Sequence, residues 1–510
     1  MPRRRETGLD RMAGRLERRV WPIVFSVVFV SLGLAYFFRW GPVGQHTASL
    51  WISPTDLWFT YFAASQLAHG HLGSIYNSNA NFLEFPGILV VLAPLGALSN
   101  GFHTTMLQVT KTQSLPALNF AARAPNIPFL NAEEFHFQGK VYVSHPQWVA
   151  AVDPYALLLS CLALFACDAL AERLQISRPR RAFLTAIEAV LLWNVTVWWG
   201  HPEDAVAIAL ASYALVFAMN GRFVGAGWLA GAAVAFQPLV LLVLPVLVAM
   251  AGRRNGLGVA IRSILPTTVL LAAPLIANFR ATLHTLVDQP SSPNFDHATP
   301  WTALSPNLGG RGALLMVAAG PVRIFAILLA VGLGVWAARH WRERPERLIW
   351  ACALALALRS YTESVMTDYY AWAALAVGLV AAARCSLRRF EMCIALAIAT
   401  TILAQWTLAW LPWWSIQIVG LTAFLVVSMK PEPLELARQR IERGRARPPA
   451  KTRRSGPVTT TVKAPDRARS PVGTRTRSGS VPAKKAAPGR ARSPADARAR
   501  SGTAPRKKKR

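Results

Sequence analysis

An all-α, polytopic integral membrane protein is the fold class that the sequence predicts, on three observations. Apolar runs long enough to cross a bilayer recur along the body of the chain, which is 53% hydrophobic with a mean hydropathy of +0.31. Clustered arginines alternate with polar segments between those runs. Only helices and closed barrels satisfy their backbone in lipid, and these runs are far too apolar for barrel strands.

Taken in order, the runs predict about 12 spans with both termini cytoplasmic. Residues 1–19 carry Arg3, Arg4, Arg5, Arg11, Arg15, Arg18 and Arg19, and excess Arg and Lys stays inside. Val20–Phe38 is long for a signal peptide and has no clear cleavage site after it, so it reads as an uncleaved first span. The region 39–148 then lies outside as a large first extracytoplasmic region. Within it Phe85–Leu98 is short and broken by Pro86, Gly87 and Pro94, so it reads as re-entrant or interfacial. Val149–Ala171 runs inward to Arg173, Arg178, Arg180 and Arg181, and Ala182–Trp199 runs out to the tetrapeptide HPED. Ala205–Met219 returns inward. Phe223–Met250 is split in two at Gln237-Pro238, bringing the chain to Arg253 and Arg254. Gly258–Ala277 goes out, Asn278–Gly312 is an external loop, and Ala313–Ala338 comes in to RHWRERPER. Leu348–Leu358 and Ala371–Ala383 flank RSYTESVMTDYY, and Met392–Trp410 and Pro412–Met429 finish a membrane domain of residues 20–429. External loops hold only scattered cations, which supports the orientation independently of function.

The formal charge is +30, but from Lys430 to Arg510 there are 25 Lys and Arg against 5 Asp and Glu. Residues 430–510 are rich in Pro, Arg, Ser, Ala and Thr and read as a disordered basic cytoplasmic tail. Anionic inner-leaflet lipids are its expected partner, with a merely solvated tail as the alternative; without aromatics or a folded module, nucleic acid is not favoured. The 5 cysteines lie in or at the ends of apolar runs and form neither a disulfide framework nor a zinc pattern.

Charged residues at membrane depth or its edge are costly, so each marks a possible site. On this topology the outer face gathers Asp56 and Glu84 beside the first external helix, and His201, Glu203 and Asp204 of HPED. It also gathers Asp288, Asp296 and His297 before Thr-Pro-Trp, then Arg311, and finally Arg359, Glu363 and Asp368 with Tyr369 and Tyr370 in the last outer turn. That set suits transfer of a sugar from a polyprenyl-phosphate carrier. A carboxylate takes the proton of the acceptor hydroxyl, and a cation neutralises the leaving phosphate. Asp56 fits the base, and His297 would orient the acceptor or share the proton. Glu84, His201, Glu203 and Asp204 would bind substrate, and Arg311 and Arg359 would face the phosphate. Plainer readings stand beside these: a helix-start acid for Asp56, a helix cap for HPED, a loop residue for His297 and snorkelling anchors for the arginines. No Walker A, HExxH, GxSxG or DxD motif occurs, no metal ligand set has a spacing signature, and a divalent metal requirement stays open.

The stretch WISPTDLWFTYFAASQLAHGHLGSIY places Asp56 early in the first outer loop before a helix ending in Gly and Tyr. It is followed by EFPGILVVLAPLGAL and later by GAGWLAGAAVAFQPLVLLVLPVLV. These segments resemble the GT-C superfamily of membrane glycosyltransferases. Within it they are most similar to glycosyltransferase family 87, the actinobacterial polyprenyl-phosphate-mannose-dependent mannosyltransferases. The resemblance covers roughly 20–429, with Gln237 where that family more often has Lys and Phe85-Pro86-Gly87 at a YPP-like element. It implies a GT-C-like fold and Asp56 as general base. It further implies a polyprenyl-phosphate hexose donor, mannose first, an envelope glycolipid or glycan acceptor, and inversion in a single displacement. Two other classes compete. A secondary transporter or lipid flippase needs paired halves with broken helices at the midplane, and no internal repeat is visible. A non-catalytic membrane scaffold would act through its basic tail, and would lose its role on deletion of that tail.

Overall fold

A computed structural model describes residues 19–40, 49–51, 54–76, 84–97, 106–108, 134–137, 140–143, 146–294, 296–310 and 315–430. Arg311, most of residues 99–148, and the segments 1–19 and 430–510, apart from Arg19 and Lys430, lie outside the described residues. The described chain is mostly helical. Seven of its helical segments are long and apolar enough to cross a membrane, and Pro86–Ala97, Phe223–Phe236 and Trp372–Ala382 are shorter apolar helices.

Helix α1 (Val20–Phe37) leads into strand β1 (Phe38–Trp40), which pairs antiparallel with β2 (Ser49–Trp51) and returns the chain to α2 (Thr55–Ala68). Helix α3 (Pro86–Ala97) packs on α2, where Ala63 and Ala64 meet Ile88, Leu89 and Leu92. Strands β3 (Met106–Gln108), β4 (Glu134–Phe137) and β5 (Lys140–Val143) form a sheet of order β3-β5-β4. Helices α4 (Pro146–Ser160) and α5 (Leu162–Arg173) adjoin at Cys161. Helix α6 (Arg178–Trp193) ends in the π-helical turn Asn194–Trp198, and α7 (Pro202–Met219) begins after a short turn.

Helix α8 (Phe223–Phe236) stops where Gln237 turns extended, at the polar-proline break read from sequence, and the 3₁₀ segment Pro238–Val243 follows. Helix α9 (Leu244–Ala277) is bent at Gly252, whose φ of 67° is left-handed, so the two runs seen in sequence abut here. Gly231 of α8 approaches the Arg262 carbonyl and Pro266 too closely for a side chain, the small-residue contact that membrane helices use. Helix α10 (Phe279–Asp288) falls within the predicted external loop, followed by strands β6 (His297–Ala298), β7 (Asn307–Gly309) and β8 (Met316–Val317).

Helix α11 (Val322–His340) corrects a predicted boundary. Of the apolar run predicted from Ala313, the described part starts at Leu315 and is helical only from Val322, because Met316–Val317 pair with β7 and the Ala318 and Ala319 amides bond the carbonyls of Pro306 and Asp288. Helix α12 (Pro345–Thr362), strand β9 (Val365–Met366), and helices α13 (Trp372–Ala382), α14 (Leu387–Ala404) and α15 (Trp410–Ser428) complete the chain. All residues of α13 are buried, as an all-apolar helix inside a bundle should be. Among the described residues, four small sheets thus interrupt what the sequence predicts as purely α. Apolar side chains stay exposed on α1, the second half of α9 and α11, among them Val27, Leu257, Ile276, Ile324 and Leu328, as lipid contact would require.

Two polar clusters stand at opposite ends of α6. At one, Arg181 grips Asp168 with a two-pronged contact of 2.7 and 2.6 Å, joined by Arg19 on Asp168 and Glu172. Arg173 bonds Asn220 there, and Arg180 bonds the carbonyls of Ala383 and Cys385. From Arg178 to Trp198 the chain holds 21 residues, so the α6 axis carries it about 30 Å to the other end. There Asn194, His201 and the acids Asp56, Glu84, Glu203 and Asp204 gather.

Candidate functional site

The turn between α6 and α7 builds the centre. Gly200 takes a left-handed φ of 79°, and a Cβ there would stand 2.5 Å from Pro54 Cβ and 3.1 Å from the Leu57 backbone nitrogen. The missing side chain lets this turn press against the start of α2, which sets His201 beside Asp56. Gly200→Val is therefore expected to cost roughly 2 kcal/mol or more of stability, from strained backbone and overpacking. A lowered thermal midpoint in detergent would show it; an unchanged midpoint would mean that the contact is not tight.

His201 Nε2 lies 3.1 Å from Asp56 Oδ2, and Nδ1 lies 2.5 Å from Glu203 Oε1 and 3.8 Å from Glu84 Oε1. The ring stacks on Tyr369 at 4.5 Å. Asp56 is in the first turn of α2, while Pro54 occupies the N-cap position. Asp56 is the accessible member, 41% exposed against 8% for His201 and 0% for Glu203. Burial disfavours the imidazolium of His201, but the carboxylates of Glu203 and Asp56 outweigh it and hold the pKa well above its ordinary value. Burial and the nearby charge of Glu203 push the Glu84 carboxyl up to about 8. Glu84 sits at the entry to α3, its carbonyl bonded by the Tyr76 hydroxyl at 3.1 Å.

Pro202 starts α7, with Glu203 and Asp204 in the first turn, while His201 at the N-cap position makes no side-chain capping bond. Asp204 accepts from Gln237 Nε2 at 2.6 Å, which ties the α8 break to the site. The Arg359 guanidinium lies 3.5 Å from the centre of the Tyr370 ring, and its charge acts on both Glu84 and Asp204.

A second pair stands alongside. His297 Nε2 is 3.1 Å from Asp368 Oδ1, and its ring stacks on Trp413 at 3.7 Å. Pairing of β6 with β9 sets that register, His297 opposite Met366, and Thr299 Oγ1 donates to the carbonyls of Glu363 and Ser364. Asp296 accepts from Thr367 Oγ1 at 3.2 Å and links the two pairs electrically. Burial, then the charges of Asp56 and Asp368, push it up to about 7.

The structure thus brings together Asp56, Glu84, His201, Glu203, Asp204, His297 and Arg359. Asp296, Asp368, Tyr369, Tyr370, Gln237 and Trp413 join them. Asp296 and Asp368 fall in the predicted outer loops without an assigned role, and Trp413 falls in the last predicted span, Pro412–Met429. Only contact across elements reveals their part.

Asp296 supplies a pH test. Its pKa in the fold exceeds the ~3.9 of an unfolded Asp, so its stability contribution is complete below that value and is lost as pH rises towards about 7. Asp296→Asn should fall less in thermal midpoint than wild type between pH 5 and pH 7.5; equal falls would show that Asp296 is not desolvated. No family model matches the chain, and no curated protein matches it.

Proposed function

We propose that the protein is a membrane glycosyltransferase that moves a hexose, mannose first, from a polyprenyl-phosphate carrier to an envelope glycolipid or glycan on the extracytoplasmic face of the plasma membrane. The observation that carries this reading is an exposed carboxylate, Asp56, backed by the buried His201–Glu203 pair, with Arg359 in the same cluster. Asp56 takes the proton of the acceptor hydroxyl, whose oxygen forms a bond to the anomeric carbon. The bond from that carbon to the phosphate oxygen breaks, and the electron pair leaves with polyprenyl phosphate. Arg359 neutralises the phosphate. His201 holds Asp56 in place, and His297 with Asp368 orients the acceptor beside the aromatic face of Trp413.

Membranes containing the protein, given labelled polyprenyl-phosphate-mannose and an envelope glycolipid extract, are expected to yield a labelled glycolipid or glycan. Membranes lacking it should yield none. Equal labelling in both would remove the proposal.

A further inference from the structure

We propose that Glu84, His201 and Glu203 form a binding site for one divalent transition cation of the Mn²⁺ or Zn²⁺ kind. One ligand atom from each of the three lies within 4.8 Å of the other two. His201 turns Nδ1 towards both glutamates, at 2.5 and 3.8 Å. Metal bonds of about 2.0–2.2 Å put neighbouring ligand atoms about 3–3.5 Å apart, so small rotations of the two glutamates would open the site.

A second, independent observation points the same way. The Glu203 side chain is fully buried, and its Oε2 has no hydrogen-bond partner among the described residues. A buried carboxylate oxygen without a donor is costly, and a cation would satisfy it.

The outer geometry also fits. While Nδ1 faces the glutamates, Nε2 faces Asp56. That is the carboxylate–histidine–metal order, in which the outer carboxylate fixes the tautomer and orientation of the ligand ring. One imidazole with two carboxylates suits a first-row divalent ion better than the all-oxygen sets of Ca²⁺ or Mg²⁺. Three protein ligands leave coordination positions free for a phosphate oxygen. That role rests on the proposed transfer reaction, whereas the binding itself does not.

The full-length protein in nanodiscs, stripped with EDTA and then freed of it, would be titrated with MnCl₂ while free Mn²⁺ is followed by electron paramagnetic resonance. One equivalent should bind, and Zn²⁺ should displace it. Glu203→Gln and Glu84→Gln should each weaken binding at least ~10-fold, as expected when a metal site loses a carboxylate, while His284→Gln should leave it unchanged. Thermal unfolding without metal checks that the variants fold. If Glu203→Gln does not, the less buried Glu84→Gln decides. No binding by wild type, wild-type binding by the glutamate variants, or loss in His284→Gln would each overturn the site. The last would move the ion to the exposed His284–Asp288 pair. Mn²⁺ binding without sugar transfer would overturn the reaction and leave this site standing; transfer by a protein that binds no Mn²⁺ would do the reverse.

Discussion

Asp56→Asn is expected to lower sugar transfer by about 10²–10⁴-fold, the range a positioned general base contributes. The substitution is nearly isosteric. Asn retains an oxygen that accepts from His201 Nε2, which lies 3.1 Å from Asp56 Oδ2, so the start of α2 should keep its place. The side chain is 41% exposed, and the buried His201 keeps Glu203 as its charged partner when the Asp56 charge is lost. The variant should therefore insert and purify like wild type, and the defect should fall on the chemical step. Initial rates with labelled polyprenyl-phosphate-mannose, normalised to protein in the membrane, measure it. Full activity in Asp56→Asn membranes would refute the assignment of the base. Asp56→Glu separates charge from position: its extra methylene moves the carboxylate off His201, and partial activity is expected.

Arg359→Gln should reduce transfer by about 10²–10³-fold, the size of effect seen when a group that stabilises developing charge is removed from a site sheltered from water. The Arg359 guanidinium stacks on Tyr370, and its charge also offsets those of Glu84 and Asp204. Gln keeps hydrogen-bonding capacity and loses the charge. Lys keeps the charge and loses the flat stacking surface, so Arg359→Lys should recover only part of the rate. If the cation acts on the leaving phosphate, the loss appears in kcat more than in KM. Wild-type kinetics in Arg359→Gln would exclude it from the phosphate.

Much of the helical framework is legible in the chain because membrane burial acts on composition. Long apolar runs mark the helices, and arginine clusters mark the end where Arg19, Arg173, Arg180 and Arg181 meet. The break after α8 is legible because Pro238 lacks an amide proton and Gln237 is polar. The start of α11 is not, since ALLMVAAG is as apolar as a span. The pairing of Met316–Val317 with Asn307–Gly309 and the amide bonds of Ala318 and Ala319 keep these four residues out of the helix.

The same division holds at the site. The sequence by itself marks Asp56, Glu84, the HPED tetrapeptide, His297 and Arg359, because ionisable groups near a bilayer are too costly to stand at random. It cannot assign their partners. That Asp56 meets His201 rather than His297, that Glu84 faces the same imidazole, and that His297 pairs with Asp368 beside Trp413 depend on contacts between distant segments. Those contacts follow from the close approach at Gly200 and the β6–β9 register. Hydropathy and charge act on each segment alone and fix which residues reach this end of the bundle. Packing of one segment against another fixes which of them touch.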